Sequence, residues 1–353
     1  MQFLRIRTYL LLLAFAFVLG CKKEQSSPIT EEEKKDTVIS PVSGGFAKGA
    51  DVSWMTEMES SNRKFYNSSG TQQDLLSILK GLGMNTIRLR VWVNPTDGWC
   101  NKADVIAKAK RVKAAGLRLM IDFHYSDSWA DPGKQTKPVA WNGQAIAALK
   151  TSVGNHTTDV LTALKNEGIT PEWVQVGNET NDGMLWEEGR ASANMKNFAE
   201  LVLSGYNAVK AVFVNAKVIV HVSNGYNNSL FRWMFDGLKN NGAKWDVIGM
   251  SLYPETAADW SSKNTQCLAN MTDMVSRYGK EVMIVEVGMP TSEAAASKAF
   301  ITDLITKVKS LPDSKGLGVL YWEPQSYASW KGYKLGAFDD TGKPTIALDA
   351  FKD

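Results

Sequence analysis

The 353-residue chain is poor in cysteine, with three, and nearly lacks net charge, since 40 basic side chains face 37 acidic ones. Arg5 and Arg7 belong to a leader-like first twenty residues, and without them the formal balance drops from +3 to +1. Nucleic-acid binding needs a clustered basic surface, so that class of partner is excluded. The apolar run at residues 9–19 is too short to stay in a bilayer as a spanning helix. The segment Asp51-Val-Ser-Trp54 after the first strand-like run holds no glycine-rich phosphate loop, which argues against a nucleotide-binding open sheet. What the chain does have is 44% apolar residues, 22% charged residues and twelve tryptophans. That composition builds a large core and excludes a disordered, collagen-like or acidic-tail protein.

The N-terminus reads as an address. Arg5, Arg7, the apolar run and Gly20 form a secretory signal over residues 1–20. Val18-Leu-Gly-Cys21 has the form of a bacterial lipoprotein box, so Cys21 is expected to be lipidated as the first mature residue; a simple cleaved signal is the alternative. Two or more acyl chains anchor stably. The expected location is therefore the outer membrane, with the body at the cell surface and the periplasmic face left open. Residues 21–45 carry Lys, Glu, Ser, Pro and Gly, the composition of a solvated tether. The folded domain, catalytic or binding, is expected over 46–353. Its two remaining cysteines, Cys100 and Cys267, could pair in an oxidising compartment or stay as buried thiols, and their spacing leaves both open.

From residue 49 onward one pattern recurs eight times. Short, nearly continuous apolar runs at 49–53, 86–92, 117–123, 173–177, 217–222, 247–252, 282–287 and 318–322 read as parallel strands covered on both faces. Helical periodicity fills the intervals at 72–82, 102–115, 144–167, 193–213, 229–240, 265–278 and 293–309, with a last piece near 345–352. Eight alternating units predict a single-domain α/β fold, the (β/α)8 or TIM barrel. Chemistry in such barrels sits at the C-terminal strand ends. Those ends are polar here: Asp51, Arg88, Arg90, Asp122, His124, Asn178, Glu179, His221, Asn224, Tyr253 and Glu286. His156, by contrast, falls in a helical segment and is expected at the surface.

Two glutamates, Glu179 and Glu286, end the fourth and seventh runs and so face one cleft. Glycoside hydrolysis uses such a pair. One carboxyl stays protonated to donate to the leaving oxygen, and the other is ionised to attack the anomeric carbon, about 5–5.5 Å apart for retention. Asn178 is placed to bind the sugar 2-hydroxyl, Arg88 and His124 to keep Glu286 oriented and ionised, and Tyr253 to donate to it. Sugar rings stack on aromatic faces, which makes Trp54, Trp92, Trp129, Trp186 and Trp322 cleft candidates, with Trp322 the platform under the cleaved sugar. Trp173 and Trp245 precede or begin strands at the opposite end and are expected in the core. Asp182 and Glu323 are expected to bind hydroxyls or to hold Arg88 and Arg90.

Longer strings narrow the reading. Gly49-Ala-Asp-Val-Ser53, Asn85-Thr-Ile-Arg-Leu-Arg-Val-Trp-Val-Asn-Pro95, Asp122-Phe-His-Tyr-Ser-Asp-Ser-Trp-Ala-Asp-Pro132, Gln135-Thr-Lys-Pro138, Val176-Gly-Asn-Glu179, Ser251-Leu-Tyr-Pro254 and Tyr321-Trp-Glu-Pro324 resemble the endo-β-1,4-galactanases of glycoside hydrolase family 53, in clan A. The resemblance runs from about Phe46 to the C-terminus. It implies retaining, endo-acting hydrolysis of the β-1,4-galactan side chains of pectin, with Glu179 as acid/base and Glu286 as nucleophile. A clan relative acting on mannan or xylan, and a surface glycan-binding lipoprotein without turnover, are the alternatives. The chain departs from the family pattern at Gln325-Ser326, where Ala-Trp is common, at Ser223, where Asp is frequent, and at Met289 after the nucleophile. Some family members bind calcium in a long loop after strand seven; here Thr291-Ser-Glu-Ala-Ala-Ala-Ser297 runs into a helix, so no metal is expected. No cofactor is expected, and the expected state is a monomer acting on a polysaccharide.

Overall fold

The computed structural model describes residues 44–254 and 256–352. The signal, Cys21 and nearly all of the tether expected from the sequence lie outside the described residues. Eight parallel strands close into a barrel in chain order: β1 (Ala47–Asp51), β2 (Thr86–Val91), β3 (Arg118–Phe123), β4 (Trp173–Val176), β5 (Lys217–Val222), β6 (Val247–Leu252), β7 (Glu281–Val287) and β8 (Gly316–Trp322), which pairs with β1. The helices are α1 (Met55–Ser60), α2 (Leu75–Gly81), α3 (Lys102–Ala114), α4 (Ile146–Asn166), α5 (Ala191–Val212), α6 (Asn228–Asn240), α7 (Trp260–Tyr278) and α8 (Ala294–Lys309). The expected eightfold alternation is therefore the observed fold. Two details differ. The short α1 went unread, because its apolar anchors are only Met55 and Met58, too few to show a period. The C-terminal piece, Ile346–Phe351, is a 3₁₀ helix that buries Ala347, Leu348, Ala350 and Phe351.

The barrel interior changes character along its axis, and this positions the site. Ala47, Met120, Trp173, Ile219, Val247, Met283, Val285 and Leu320 form a closed apolar cluster at the N-terminal end. Two residues further along a strand the side chain faces the same way, and there the sequence supplies Asp122 after Met120, Gln175 after Trp173 and His221 after Ile219. An apolar plug thus carries a buried polar layer above it. The larger core lies outside the barrel, between strands and helices. Trp173 and Trp245 are both buried in the core, as expected. Among the described residues no helix is long and apolar enough to cross a membrane.

One irregularity bears on function. Met250 pairs with Ile284, but the next residue, Ser251, pairs with Glu286, so β7 carries one extra residue at this point. A bulge bends a strand and re-aims a side chain. Here it breaks the two-residue alternation after Val285, which belongs to the interior plug, and sets Glu286 in register with Ser251.

Candidate active site

Arg88, fully buried on β2, is the hub of the polar layer. Its guanidinium meets Asp51 on β1 at 2.8 Å, Asp122 on β3 at 2.8 Å and Glu286 on β7 at 2.9 Å. It also donates to Asn178 Oδ1 at 3.0 Å and to Gln175 Oε1 at 3.1 Å. Three carboxylates around one guanidinium are a costly burial unless each is paired, and the arrangement fixes the orientation of all of them. The other oxygen of Glu286 accepts from Tyr253 Oη at 3.1 Å. Arg88 and Tyr253 therefore touch Glu286 in the way the sequence suggests.

Glu179 has a different setting. It follows β4 with a φ of 44°, in the left-handed region that non-glycine residues seldom occupy. The turn before it needs Gly177, at a φ of 84°, where a Cβ would come within 2.6 Å of Thr180 Cγ2. The carboxyl accepts from Ser251 Oγ at 2.7 Å. Among the described residues no guanidinium pairs with it.

Glu286 is buried and Glu179 half-buried, and each feels the other's charge. Burial lifts both above the ordinary carboxylate range, Glu286 to about 8, with Arg88 opposing the rise and Glu179's charge adding to it. Such groups release their protons as a pair. Glu286 meets a guanidinium and a phenol, whereas Glu179 meets one neutral hydroxyl, so the charge of the singly ionised pair belongs on Glu286 and the proton on Glu179. A buried carboxylate on Glu286 facing a half-buried acid on Glu179 is suited to proton donation to a leaving oxygen with nucleophilic attack from the other side.

The comparisons with known proteins agree with this geometry. The sequence pattern described as glycosyl hydrolase family 53 matches residues 47–299 and 289–351. The chain belongs to glycosyl hydrolase family 53. It is similar to a Humicola insolens protein named arabinogalactan endo-beta-1,4-galactanase, 36% identical over 300 residues that cover 78% of this chain and 89% of the relative. Among solved structures it superimposes on one from a study of two fungal beta-1,4-galactanases with a TM-score of 0.80 and 32% identity, covering 87% of this chain and 99% of the other. The family 53 catalytic domain of Ignisphaera aggregans gives a TM-score of 0.79 at 31% identity, with 89% and 98% covered.

This family 53 hydrolase lines the β1, β2, β3 and β8 side of its mouth with aromatic rings. Trp322 and Trp129 are half-buried, and their centroids lie 5.7 Å apart at a steep angle. Trp54 and Trp92, which the sequence also offered as sugar platforms, are buried instead. Their rings and that of Trp129 surround Arg90, whose guanidinium lies 5.4, 5.0 and 4.3 Å from the three centroids and pairs with Glu323 at 2.6 Å. A buried cation is thus clad in ring faces, which uses those faces from within. Glu323 holds Arg90 as expected, and it also accepts from the Trp54 backbone N–H and the Gln325 side chain. Gln325, one of the departures from the family pattern, is therefore a buried partner of Glu323.

Other expected residues are placed differently from the simplest reading. His124 does not reach Glu286. Its Nε2 lies 3.0 Å from Asp122 Oδ2, and its Nδ1 accepts from Trp92 Nε1 at 3.3 Å, so it acts on Glu286 only through Asp122 and Arg88. Asn178 spends one amide hydrogen on the Ala130 carbonyl at 2.8 Å and keeps a second. Asp182 holds neither Arg88 nor Arg90. It accepts from Ser192 N at 2.7 Å and Ser192 Oγ at 2.9 Å, and pairs with Arg190 at 3.3 Å, organising the entry to α5. Trp186 donates to the Asp182 carbonyl at 2.8 Å, and Arg190 covers its ring at 3.7 Å. Asn224 is exposed at the rim, accepting from Tyr226.

His156 contradicts its expected surface position. It packs edge-on against Phe123, Tyr125 and Trp141, and burial lowers its pKa to about 4. Cys100 and Cys267 are separate, buried free thiols. Sequence reasoning missed Gln175, whose amide nitrogen donates to Asp122 Oδ1 at 2.5 Å and lies within 3.1 Å of Gly177 O, Asn178 Oδ1 and His221 Nδ1. The signal was present: a lone Gln two residues after Trp173 shares its inward face.

Proposed function

We propose that this family 53 hydrolase is a retaining endo-β-1,4-galactanase acting on the galactan side chains of pectin, with Glu286 as nucleophile and Glu179 as acid/base. The observation that carries the reading is the asymmetry of the pair: Arg88 and Tyr253 on Glu286, a neutral hydroxyl alone on Glu179. In the first step a Glu286 oxygen attacks the anomeric carbon. The bond to the leaving O4 breaks, and that oxygen takes the Glu179 proton, leaving a galactosyl ester on Glu286. In the second step the Glu179 carboxylate takes a proton from water while the water oxygen displaces Glu286, restoring both residues. Asn178's free amide hydrogen serves the 2-hydroxyl, and Trp322 with Trp129 offers ring surface to the sugar. The substrate assignment is supported by relatives named arabinogalactan endo-beta-1,4-galactanase.

Anchoring through a lipidated Cys21, on the outer membrane and facing the medium, belongs to the same proposal. It suits an enzyme whose substrate is too large to import. The test is product analysis on linear β-1,4-galactan with Glu286→Gln and Glu179→Gln in parallel. Early release of a ladder of galacto-oligosaccharides by the parent, lost in both variants, is expected. Bound polymer without products from the parent would make the cleft a binding site, and products from mannan or xylan alone would reassign the substrate.

A further inference from the structure

We infer that His221 and Ser251 close a hydrogen-bond circuit on Glu179, running from its own backbone N–H to its carboxyl Oε1, so that Oε2 is the oxygen that passes the proton to the leaving group. The inference rests on Glu179 being the acid/base. The circuit is fixed by donors and acceptors. The Glu179 backbone N–H donates to His221 Nδ1 at 3.3 Å. A backbone hydrogen aimed at Nδ1 makes it the unprotonated nitrogen of a neutral ring. Asn178 Oδ1 also lies 3.0 Å from Nδ1 and accepts from Arg88.

The rest follows. With Nδ1 as acceptor, Nε2 carries the hydrogen and donates to Ser251 Oγ, 2.7 Å away. The serine hydrogen is then free to point only at its other close partner, Glu179 Oε1, at 2.7 Å. Among the described residues no hydrogen bond reaches Oε2. An acid whose Oε1 already accepts a hydroxyl keeps its proton on Oε2. His221 stays neutral because burial, reinforced by Arg88, lowers its pKa well below the ordinary imidazole value. The backbone is clamped by the same residue: Thr180 N and Oγ1 both donate to the His221 carbonyl, at 2.8 and 2.9 Å. Ser251 is also the register partner of Glu286 across the β6–β7 bulge, so one serine spaces the two carboxyls. Ser251 and His221 are therefore positioning residues for proton donation.

The test is Ser251→Ala in the full-length protein, read as kcat/KM against pH on β-1,4-galactan and on a dinitrophenyl β-galactobioside, whose leaving group needs no proton. The charged groups facing Glu179 are Arg88, Asp122, Asp131 and Glu286, and all of them remain in the variant. Tyr253 and His221 stay neutral. The serine hydroxyl stabilises the Glu179 carboxylate, so its loss raises the Glu179 pKa, and the basic limb of the galactan profile moves up by about one pH unit. We expect kcat/KM at neutral pH to fall about tenfold or more on galactan and to stay within about twofold on the activated substrate. Equal losses on both substrates, or an unmoved basic limb, would overturn the circuit while leaving Glu179's role intact. Glu179→Ala run alongside separates the two claims: full galactan activity in that variant would remove the acid/base assignment itself.

Discussion

Tyr253→Phe isolates what keeps Glu286 charged. Phenylalanine preserves the half-buried ring and removes only the hydroxyl that donates to Glu286 Oε2 at 3.1 Å. A hydrogen bond to an ionised group contributes about 1.5–3 kcal/mol, and about 1.4 kcal/mol corresponds to one pKa unit. Loss of the phenol therefore raises the Glu286 pKa by about one to two units. The nucleophile must be ionised, so the acid limb of kcat/KM moves to higher pH by that amount, while the basic limb, set by Glu179, moves little. Burial raises Glu286 against the pull of Arg88, and at a pH below the acid limb a shift of one to two units costs the variant about ten- to a hundredfold in kcat/KM. The assay is initial rate on galactan from pH 4 to pH 9, with the melting temperature recorded at each pH. An acid limb superimposable on the parent's, in a variant equally stable, would refute the assignment of Tyr253 to the nucleophile.

His156 gives a stability prediction with a defined sign. Its pKa falls from 6.5 to about 4 on folding, so the unfolded chain binds more protons between those values and stability drops as pH falls through that window, by at most about 3 kcal/mol. Replacing it with Phe should flatten the pH 4–6.5 part of a thermal-melt series; an unchanged slope would place the dependence elsewhere. The two barrel thiols should resist dithionitrobenzoate in native Cys21→Ser protein and react in denaturant, because both are buried and burial pushes Cys267 up to about 12. Rapid native labelling would contradict their placement. Trp322→Ala should cost about tenfold in kcat/KM on galactan through KM, measured with Trp54→Phe as a buried control.

The barrel was legible because parallel strands covered on both faces are apolar runs, and helices between them carry their own period. Glu179 and Glu286 were legible because strand ends in such a barrel face the mouth. The sequence did not tell which strand-end tryptophans open to solvent. Trp54 and Trp92 turn inward onto Arg90, an outcome decided by a buried cation on β2 that both rings pack against. His156 looked like a surface residue of α4 because the rings that enclose it, Phe123, Tyr125 and Trp141, come from β3 and the connection after it. The β7 bulge was illegible since Val285 and Glu286 read as one continuous strand. The link from His124 to Asp122 was in plain view: two residues apart on or just beyond one strand, they share a face.

Which face of the sugar is attacked, and how often, separates retention from inversion. Proton NMR of galactan freshly mixed with a large amount of enzyme reads the first reducing ends before mutarotation blurs them. Double displacement through Glu286 predicts that β-galactose ends appear first and the α-anomer grows in later. First appearance of the α-anomer would mean a single inverting displacement by water, and Glu286 would then be a base rather than a nucleophile.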